Sequence, residues 1–178
     1  MAILAKLKAM ERKEDKPLSY WIYDTPAGDV TVLANENAVV ELLFGAQDPQ
    51  GAVNDENIHQ YDAIIELNQY FYGQRKVFDL AIAYQGGEAG RVYDAVRSIP
   101  YGSTKTYEEV AKMAKSKPEK VKDFLLHNPI PILIPCHRVI GSDKDLGIYC
   151  GDLELKKKLL RMEKTNVDRE FHVPDYED

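Results

Sequence analysis

The chain is predicted to be α+β, with a small N-terminal antiparallel-sheet domain carrying a helix, followed by a mainly helical C-terminal domain that contains a helix-turn-helix. Three observations carry this. Apolar residues alternate with period two through residues 20–44, and helical spacing appears after residue 58 and dominates beyond residue 88. Between the two regimes lie Gly86 and Gly87, where the charge balance also changes sign.

Each element has its own signature. Tyr20 and Ile22, then Val30 and Val32, alternate around the turn Pro26-Ala27-Gly28-Asp29, and Asn35-Glu36-Asn37 makes a second turn before the apolar run 39–44. Residues 45–57 are rich in Gly, Pro, Asn, Asp and Gln and read as a loop. Ile64, Leu67 and Phe71 place a helix over 58–72, ended by Gly73. Phe78, Leu80 and Ile82 share one face of a further strand over 76–83. The stretch 84–88 divides the chain into domains 1–87 and 88–178.

In the second domain Val92, Ala95, Val96 and Ile99 define a helix over 91–99, closed by Pro100-Tyr101-Gly102. Thr106-x-x-Glu109 is a capping box opening a helix at Tyr107, and Ser116-x-x-Glu119 reads as a second one, opening a helix that runs to about His127. Two short helices joined by a tight turn fit a helix-turn-helix. Asn128-Pro129 ends the second, because a residue before proline disfavours the helical region.

Composition narrows the function. With 44% hydrophobic and 29% charged residues, 178 residues suffice to bury a core without staples. No run approaches the ~18 apolar residues of a membrane span, and residues 1–17 mix apolar and charged residues in a way that no signal peptide does. Two cysteines exclude a disulfide scaffold and a four-cysteine zinc site. A soluble, cytoplasmic protein is expected. The net charge of −6 conceals a division: 7 Lys and Arg against 14 Asp and Glu in residues 1–90, 15 against 10 in 91–164, and 1 against 5 in the acidic tail 165–178. The middle segment carries a local positive field, which fits either a nucleic-acid partner or a solvated surface. Residues 1–17 and the tail are expected to be partly disordered.

The run Asn128-Pro-Ile-Pro-Ile-Leu-Ile-Pro-Cys136-His137-Arg138-Val139 is the most informative. Its prolines and aliphatics describe a rigid, buried, extended segment ending on a cysteine. A nucleophilic thiol needs a base or positive field to become a thiolate, and His137 and Arg138 are adjacent. Neighbours on an extended strand point oppositely, so the imidazole would reach the thiol only through a turn or a bridging water. The residues alone leave a nucleophile and a buried structural cysteine equally open.

This run resembles the active-site signature of the O6-alkylguanine-DNA alkyltransferases, also called methylated-DNA–protein-cysteine methyltransferases. The resemblance extends to Tyr23-Asp24-Thr25-Pro26-Ala27-Gly28, Tyr70-Phe71-x-Gly73, Arg97-Ser98-Ile99-Pro100-Tyr101-Gly102 with Thr106-Tyr107, and Gly147-x-Tyr149-x-Gly151 followed by Lys156-x-x-Leu159-Leu160-x-x-Glu163, over roughly residues 20–164. It implies a ribonuclease-H-like N-terminal domain and a C-terminal domain for DNA binding and alkyl transfer. It also implies DNA repair by direct reversal: an alkyl group passes from guanine O6 in double-stranded DNA to Cys136, once per molecule, after the nucleotide is rotated out of the stack. His137 would act through a water and be oriented by Glu163. Tyr107 would press on the phosphate behind the flipped nucleotide and meet the base edge, and Lys156 would stabilise the departing guanine. Asn128 would tie the motif segment to the active-site loop. Backbone groups of Cys136 and Val139 would read the guanine edge, and Tyr149, Cys150 and Gly151 would line the pocket. No cofactor is needed for the displacement. No metal is expected either, because residues 1–90 hold no cysteine and a single histidine, His59. The protein is expected to act as a monomer.

Departures from the family pattern concentrate on the DNA-facing helix. Where the family carries an arginine that fills the gap in the duplex, this chain has Glu119, or Lys120 if the alignment slips by one. Lys117, Lys120 and Lys122, with Arg138, are the cations expected at DNA. Cys150 stands where a serine or other small residue is usual, and Ile148 replaces a more polar or smaller residue. A second thiol near the nucleophile would make the pocket sensitive to oxidation. Two competing readings are a non-enzymatic binder or sensor of alkylated DNA, favoured by Glu119, and a cysteine hydrolase, for which the sequence offers neither an oxyanion hole nor a water route.

Overall fold

The computed structural model describes residues 16–170. Strands β1 (Ser19–Tyr23), β2 (Val30–Ala34) and β3 (Val39–Phe44) form an antiparallel meander, with Tyr23 opposite Val30 and Phe44 opposite Val30 on its other side. Both turns use the predicted residues. Thr25 Oγ1 accepts from Ala27 N and donates to Gly28 O, and Asn35 Oδ1 accepts from Asn37 N and Ala38 N. These are side-chain mimics of a backbone turn, which is why Thr and Asn stand there.

Two assignments in this half need correction. The loop 45–57 contains a two-residue strand, β4 (Val53–Asn54), which pairs parallel with β1 and makes the sheet mixed, in the order β3-β2-β1-β4. A strand this short has no period to read. Residues 76–83 form no strand; only Ile82 bridges to Val39, with Val39 N donating to Ala81 O and Ala83 N to Val39 O, both at 2.9 Å. Phe78, Leu80 and Ile82 do pack against the core on one face, as their alternation requires. The bridge and the bond from Leu42 N to Pro129 O together cover the outer edge of β3.

Helix α1 (Ile58–Phe71) lies on the sheet. Asn57 and Gln60 form a reciprocal capping box, and Gln60 Nε2 then reaches Val32 O at 3.1 Å, so one side chain both starts the helix and docks it. Ala63, Ile64, Leu67 and Tyr70 form the buried face, and Gly73 follows the helix at φ 72°.

The C-terminal part contains α2 (Gly87–Arg97), β5 (Lys105–Thr106), α3 (Tyr107–Ala114), α4 (Pro118–Leu126), a 3₁₀ turn at Cys136–Arg138, β6 (Val139–Ile140), a second 3₁₀ turn at Ser142–Lys144, and α5 (Leu153–Glu170). Helix α2 begins at Gly87, four residues before the predicted start, because Gly87 and Gly90 in its first turn mask the helical spacing that the buried Ala89 shares with Val92 and Val96. The Thr106–Glu109 capping box is present. The expected second box is not: Pro118 occupies the first helical position, Lys117 is the N-cap without a side-chain bond, and Ser116 Oγ donates instead to Glu88 Oε1 at 2.8 Å. Between α3 and α4 the chain turns through Lys115 in the left-handed region, completing the helix-turn-helix.

One core runs through both halves, from Val32, Leu42, Leu67 and Tyr70 to Val96, Ile99, Val110, Ile134, Cys136 and Leu159. Strands β5 and β6 pair in parallel, Lys105 with Val139 and Thr106 with Ile140, which joins the start of α3 directly to the residues that follow Cys136. The expected disorder at the termini falls mostly outside the described residues, but 165–170 belong to α5 and are helical. Among the described residues no helix is long and apolar enough to cross a membrane.

Candidate active site

The segment before Cys136 is rigid and buried but not extended. Ile134 N donates to Ile130 O at 2.8 Å, closing a tight turn in which Ile132 has φ 73°. A β-branched residue rarely enters that region, and complete burial of Ile130, Ile132 and Ile134 holds it there. Asn128 secures the turn from inside: its Nδ2 donates to Ile134 O at 2.9 Å and its Oδ1 accepts from Ile130 N at 3.0 Å. Pro135, at φ −78° and ψ 63°, is the centre of an inverse γ-turn closed by Cys136 N on Ile134 O at 2.7 Å. Cys136, His137 and Arg138 then occupy a 3₁₀ turn, which replaces the strand geometry expected for them.

Behind the thiol lies a buried polar cluster centred on Glu163. His137 Nε2 is 2.7 Å from Glu163 Oε1, Tyr70 donates its hydroxyl to the same oxygen at 2.6 Å, and Gly102 N donates to Oε2 at 2.9 Å. Arg138 clamps the carboxylate with Nε on Oε2 and Nη2 on Oε1, both at 3.0 Å, while Nη1 donates to Ile99 O at 2.8 Å. His137 and Glu163 are fully buried. Burial pushes the Glu163 carboxyl up, but the His137 hydrogen bond and the Arg138 guanidinium outweigh it and hold the group at about 2. Burial also lowers His137, against the opposing pull of Glu163, so the imidazole stays neutral beside the carboxylate. A carboxylate only accepts, so Nε2 carries the proton and Nδ1 the lone pair. Nδ1 is buried with no hydrogen-bond partner among the described residues. The imidazole makes no direct bond to Cys136 Sγ.

The arginine is a correction. Arg138, expected at DNA, is 4% exposed and committed to Glu163 and Ile99. Sequence reasoning also missed Tyr70 and Gly102 as partners of Glu163. Tyr70 lies three residues after Leu67 on the apolar face of α1, and a hydroxyl arriving on a core-facing stripe was the available signal.

Cys136 is 3% exposed, and Cys150 Sγ lies 3.5 Å from its sulfur. Burial pushes the Cys136 thiol up, yet the Cys150 contact, the Asn128 side chain and the Lys156 charge together lower it; Cys150 moves up, chiefly through the same contact. Of the two thiols, Cys136 is the one lowered and Cys150 the one raised.

Lys156 is fully buried and gives its three ammonium protons to Val139 O, Leu146 O and Ile148 O, so it ties the 145–151 segment to β6. Burial brings it down to about 8, with Cys136 and Asp145 opposing. Of the Val139 backbone groups expected to read guanine, the carbonyl accepts from this lysine. Tyr107, at the start of α3, closes the same segment from the other side: its hydroxyl accepts from Ile148 N at 2.9 Å, and Gly147 at φ 67° faces the ring so closely that a side chain would collide with it. Burial raises the phenol and keeps it protonated, the Ile148 N–H opposing. A cavity of about 390 Å³ lies between Tyr107, Glu108 and Lys122 on one side and Gly141, Asp145 and Ile148 on the other. Tyr149 is buried with its hydroxyl unpartnered among the described residues, and Gly151 packs against Phe44, where a Cβ would lie 2.8 Å from the ring.

On the helix-turn-helix, Lys117, Glu119, Lys120 and Lys122 are all exposed. Lys122 Nζ stands 5.0 Å from the Tyr107 ring centroid, and Lys120 pairs with Glu88 at 2.7 Å. Glu119 lies in the first turn of α4, where the helix dipole favours a carboxylate.

Known proteins resemble this arrangement over most of the chain. The family model described as 6-O-methylguanine DNA methyltransferase, ribonuclease-like domain, matches residues 18–84, and that described as 6-O-methylguanine DNA methyltransferase, DNA binding domain, matches residues 89–165. A methylated-DNA–protein-cysteine methyltransferase of Sulfolobus acidocaldarius is 33% identical over 150 residues, spanning 84% of this chain and 95% of that one. One from Methanosarcina barkeri is 35% identical over 157 residues, spanning 83% and 98%. Among solved structures, Mycobacterium tuberculosis OGT in complex with DNA superposes with a TM-score of 0.76 at 32% identity, covering 83% of this chain and 94% of that one. Two matches in tandem along the chain, relatives of nearly equal length and a shared fold lead to one conclusion: the chain belongs to the 6-O-methylguanine DNA methyltransferase family.

Proposed function

We propose that Cys136 is the alkyl acceptor in this protein's methylated-DNA–protein-cysteine methyltransferase reaction, and that the substrate is O6-alkylguanine in double-stranded DNA. The observation that carries the assignment is the joining of a lowered, buried thiol to a neutral histidine held by a carboxylate on one 3₁₀ turn. The alternatives lack such support: a DNA sensor has no use for an acceptor thiol, and a hydrolase needs a route for water.

The thiol proton passes to the free lone pair of His137 Nδ1 through a bridging water, and Glu163 and Arg138 hold the imidazole for it. The thiolate attacks the alkyl carbon; the S–C bond forms as the C–O6 bond breaks, and guanine regains a proton as it leaves. The thioether is not hydrolysed, so each molecule acts once. Asn128 fixes the turn that aims the thiol. Lys156 and Tyr107 shape the pocket formed by Val139, Tyr149, Cys150 and Gly151, Lys156 acting through backbone carbonyls. Because Cys136 is 3% exposed, a flipped guanine reaches it only when residues 145–151 and Tyr107 move apart. Lys117, Lys120 and Lys122 meet phosphates. Residues 1–87 form the ribonuclease-H-like unit and 88–178 the DNA-binding and transfer unit of a cytoplasmic monomer.

A duplex carrying one O6-methylguanine with a labelled methyl group tests this. Label should appear in the protein and stop at one methyl per molecule whatever the excess of DNA. Continued turnover, or binding without transfer, would reject it.

A further inference from the structure

We propose that Cys136 and Cys150 form a dithiol pair that a hydroperoxide converts into an intramolecular disulfide, reversibly closing the acceptor thiol. The sulfurs lie 3.5 Å apart, and a disulfide needs about 2.0 Å, so closure requires a movement of only about 1.5 Å. The structure allows it on one side. Cys136 is fixed by the Ile134 carbonyl, the 3₁₀ turn and the core, whereas Cys150 lies outside any helix or strand, between Gly147 at φ 67° and Gly151. Cys150 is also partly exposed, so the pair opens to solvent on the Cys150 side.

The chemistry balances. The Cys136 thiolate attacks one peroxide oxygen; an S–O bond forms, the O–O bond breaks, and the departing hydroxide takes a proton to leave as water. Cys150 sulfur then attacks the sulfenic sulfur, its thiol proton leaving with the second oxygen as water. Two thiols lose two electrons and two protons, and hydrogen peroxide becomes two waters. The consequence follows from single use: a sulfenic acid left alone proceeds to sulfinic acid, an irreversible loss of an acceptor that works only once, whereas a disulfide returns both thiols to any dithiol reductant. That consequence rests on the proposed role of Cys136; disulfide formation does not.

The test treats the full chain with graded hydrogen peroxide, blocks remaining thiols with iodoacetamide, and reads intact mass and a non-reducing peptide map. Expected are a loss of two hydrogens, no carbamidomethyl group on either cysteine, and one cross-linked peptide joining Cys136 to Cys150. Methyl transfer should fall in proportion and return after dithiothreitol. In Cys150→Ser the cross-link should be absent and Cys136 should gain two oxygens, with transfer not restored by dithiothreitol. Oxygen additions on wild-type Cys136 with Cys150 still alkylatable, or a cross-link between two chains, would overturn the proposal. Formation of the internal cross-link in a protein that transfers no methyl group when reduced would uphold the dithiol and reject the proposed function instead.

Discussion

His137 Nε2 lies 2.7 Å from Glu163 Oε1, and this contact decides which imidazole nitrogen carries the proton. The buried carboxylate can only accept, so the lone pair is left on Nδ1. Arg138 balances the carboxylate charge from the other side, which lets the histidine remain neutral inside the core. Charge is therefore compensated within the cluster without drawing on the histidine.

Glu163→Gln should destabilise the fold by about 3 kcal/mol at neutral pH, because it leaves the Arg138 guanidinium buried without a counter-charge. The carboxyl sits at about 2 in the folded protein against an ordinary value of 4.5. Between those values the unfolded chain binds more protons, so the contribution of Glu163 is complete above pH 4.5 and is lost as pH falls towards 2. Urea unfolding across this range should show a steep acid limb in the wild type and a flatter one in the variant.

Lys156→Met should release the 145–151 segment, since three carbonyls lose their common donor. Hydrogen exchange at Ile148 and its neighbours should accelerate and methyl transfer should slow by about tenfold or more. Unchanged exchange there would show that the lysine does not hold the segment.

Gly147→Ala introduces a side chain at φ 67° against the Tyr107 ring. A loss of about 1–3 kcal/mol is expected, with transfer reduced more than DNA binding. The double variant with Tyr107→Ala should recover part of the stability, as measured by thermal unfolding.

Glu119→Arg should tighten duplex binding and steepen its salt dependence by about one unit of slope, with faster transfer. Slower transfer in that variant would show that α4 docks in another register. Lys117→Ala should weaken binding about equally for every sequence.

The parts of the fold that were legible in the sequence are those in which a local rule and the tertiary structure agree. The 26–29 turn, Asn35, Gly73 and the Thr106–Glu109 box each act on their own backbone, so their neighbours suffice to read them. Ser116 was misread because its acceptor, Glu88, is distant in sequence and because Pro118 set the helix start instead. Residues 76–83 alternate correctly, yet alternation reports a buried face and not a hydrogen-bonded neighbour, and only one bridge to β3 forms. In the site, the signature run pointed to Cys136 and His137, and the closing motif to Glu163, through resemblance. The fate of Arg138 was hidden, because an arginine beside a histidine reads as surface charge until the carboxylate that buries it is known. The nearness of Cys150 to Cys136 was expected through resemblance alone, because it depends on the fold of 139–151, for which no sequence spacing is informative; the sulfurs lie 3.5 Å apart.

The most direct measurement of the central claim is peptide mass spectrometry after incubation with a duplex containing one O6-methylguanine. The account predicts a gain of one methyl group confined to the peptide bearing Cys136, complete at stoichiometric DNA, and absent in Cys136→Ser, which should still bind the duplex. Methylation on Cys150, or on neither cysteine while the duplex is bound, would contradict it.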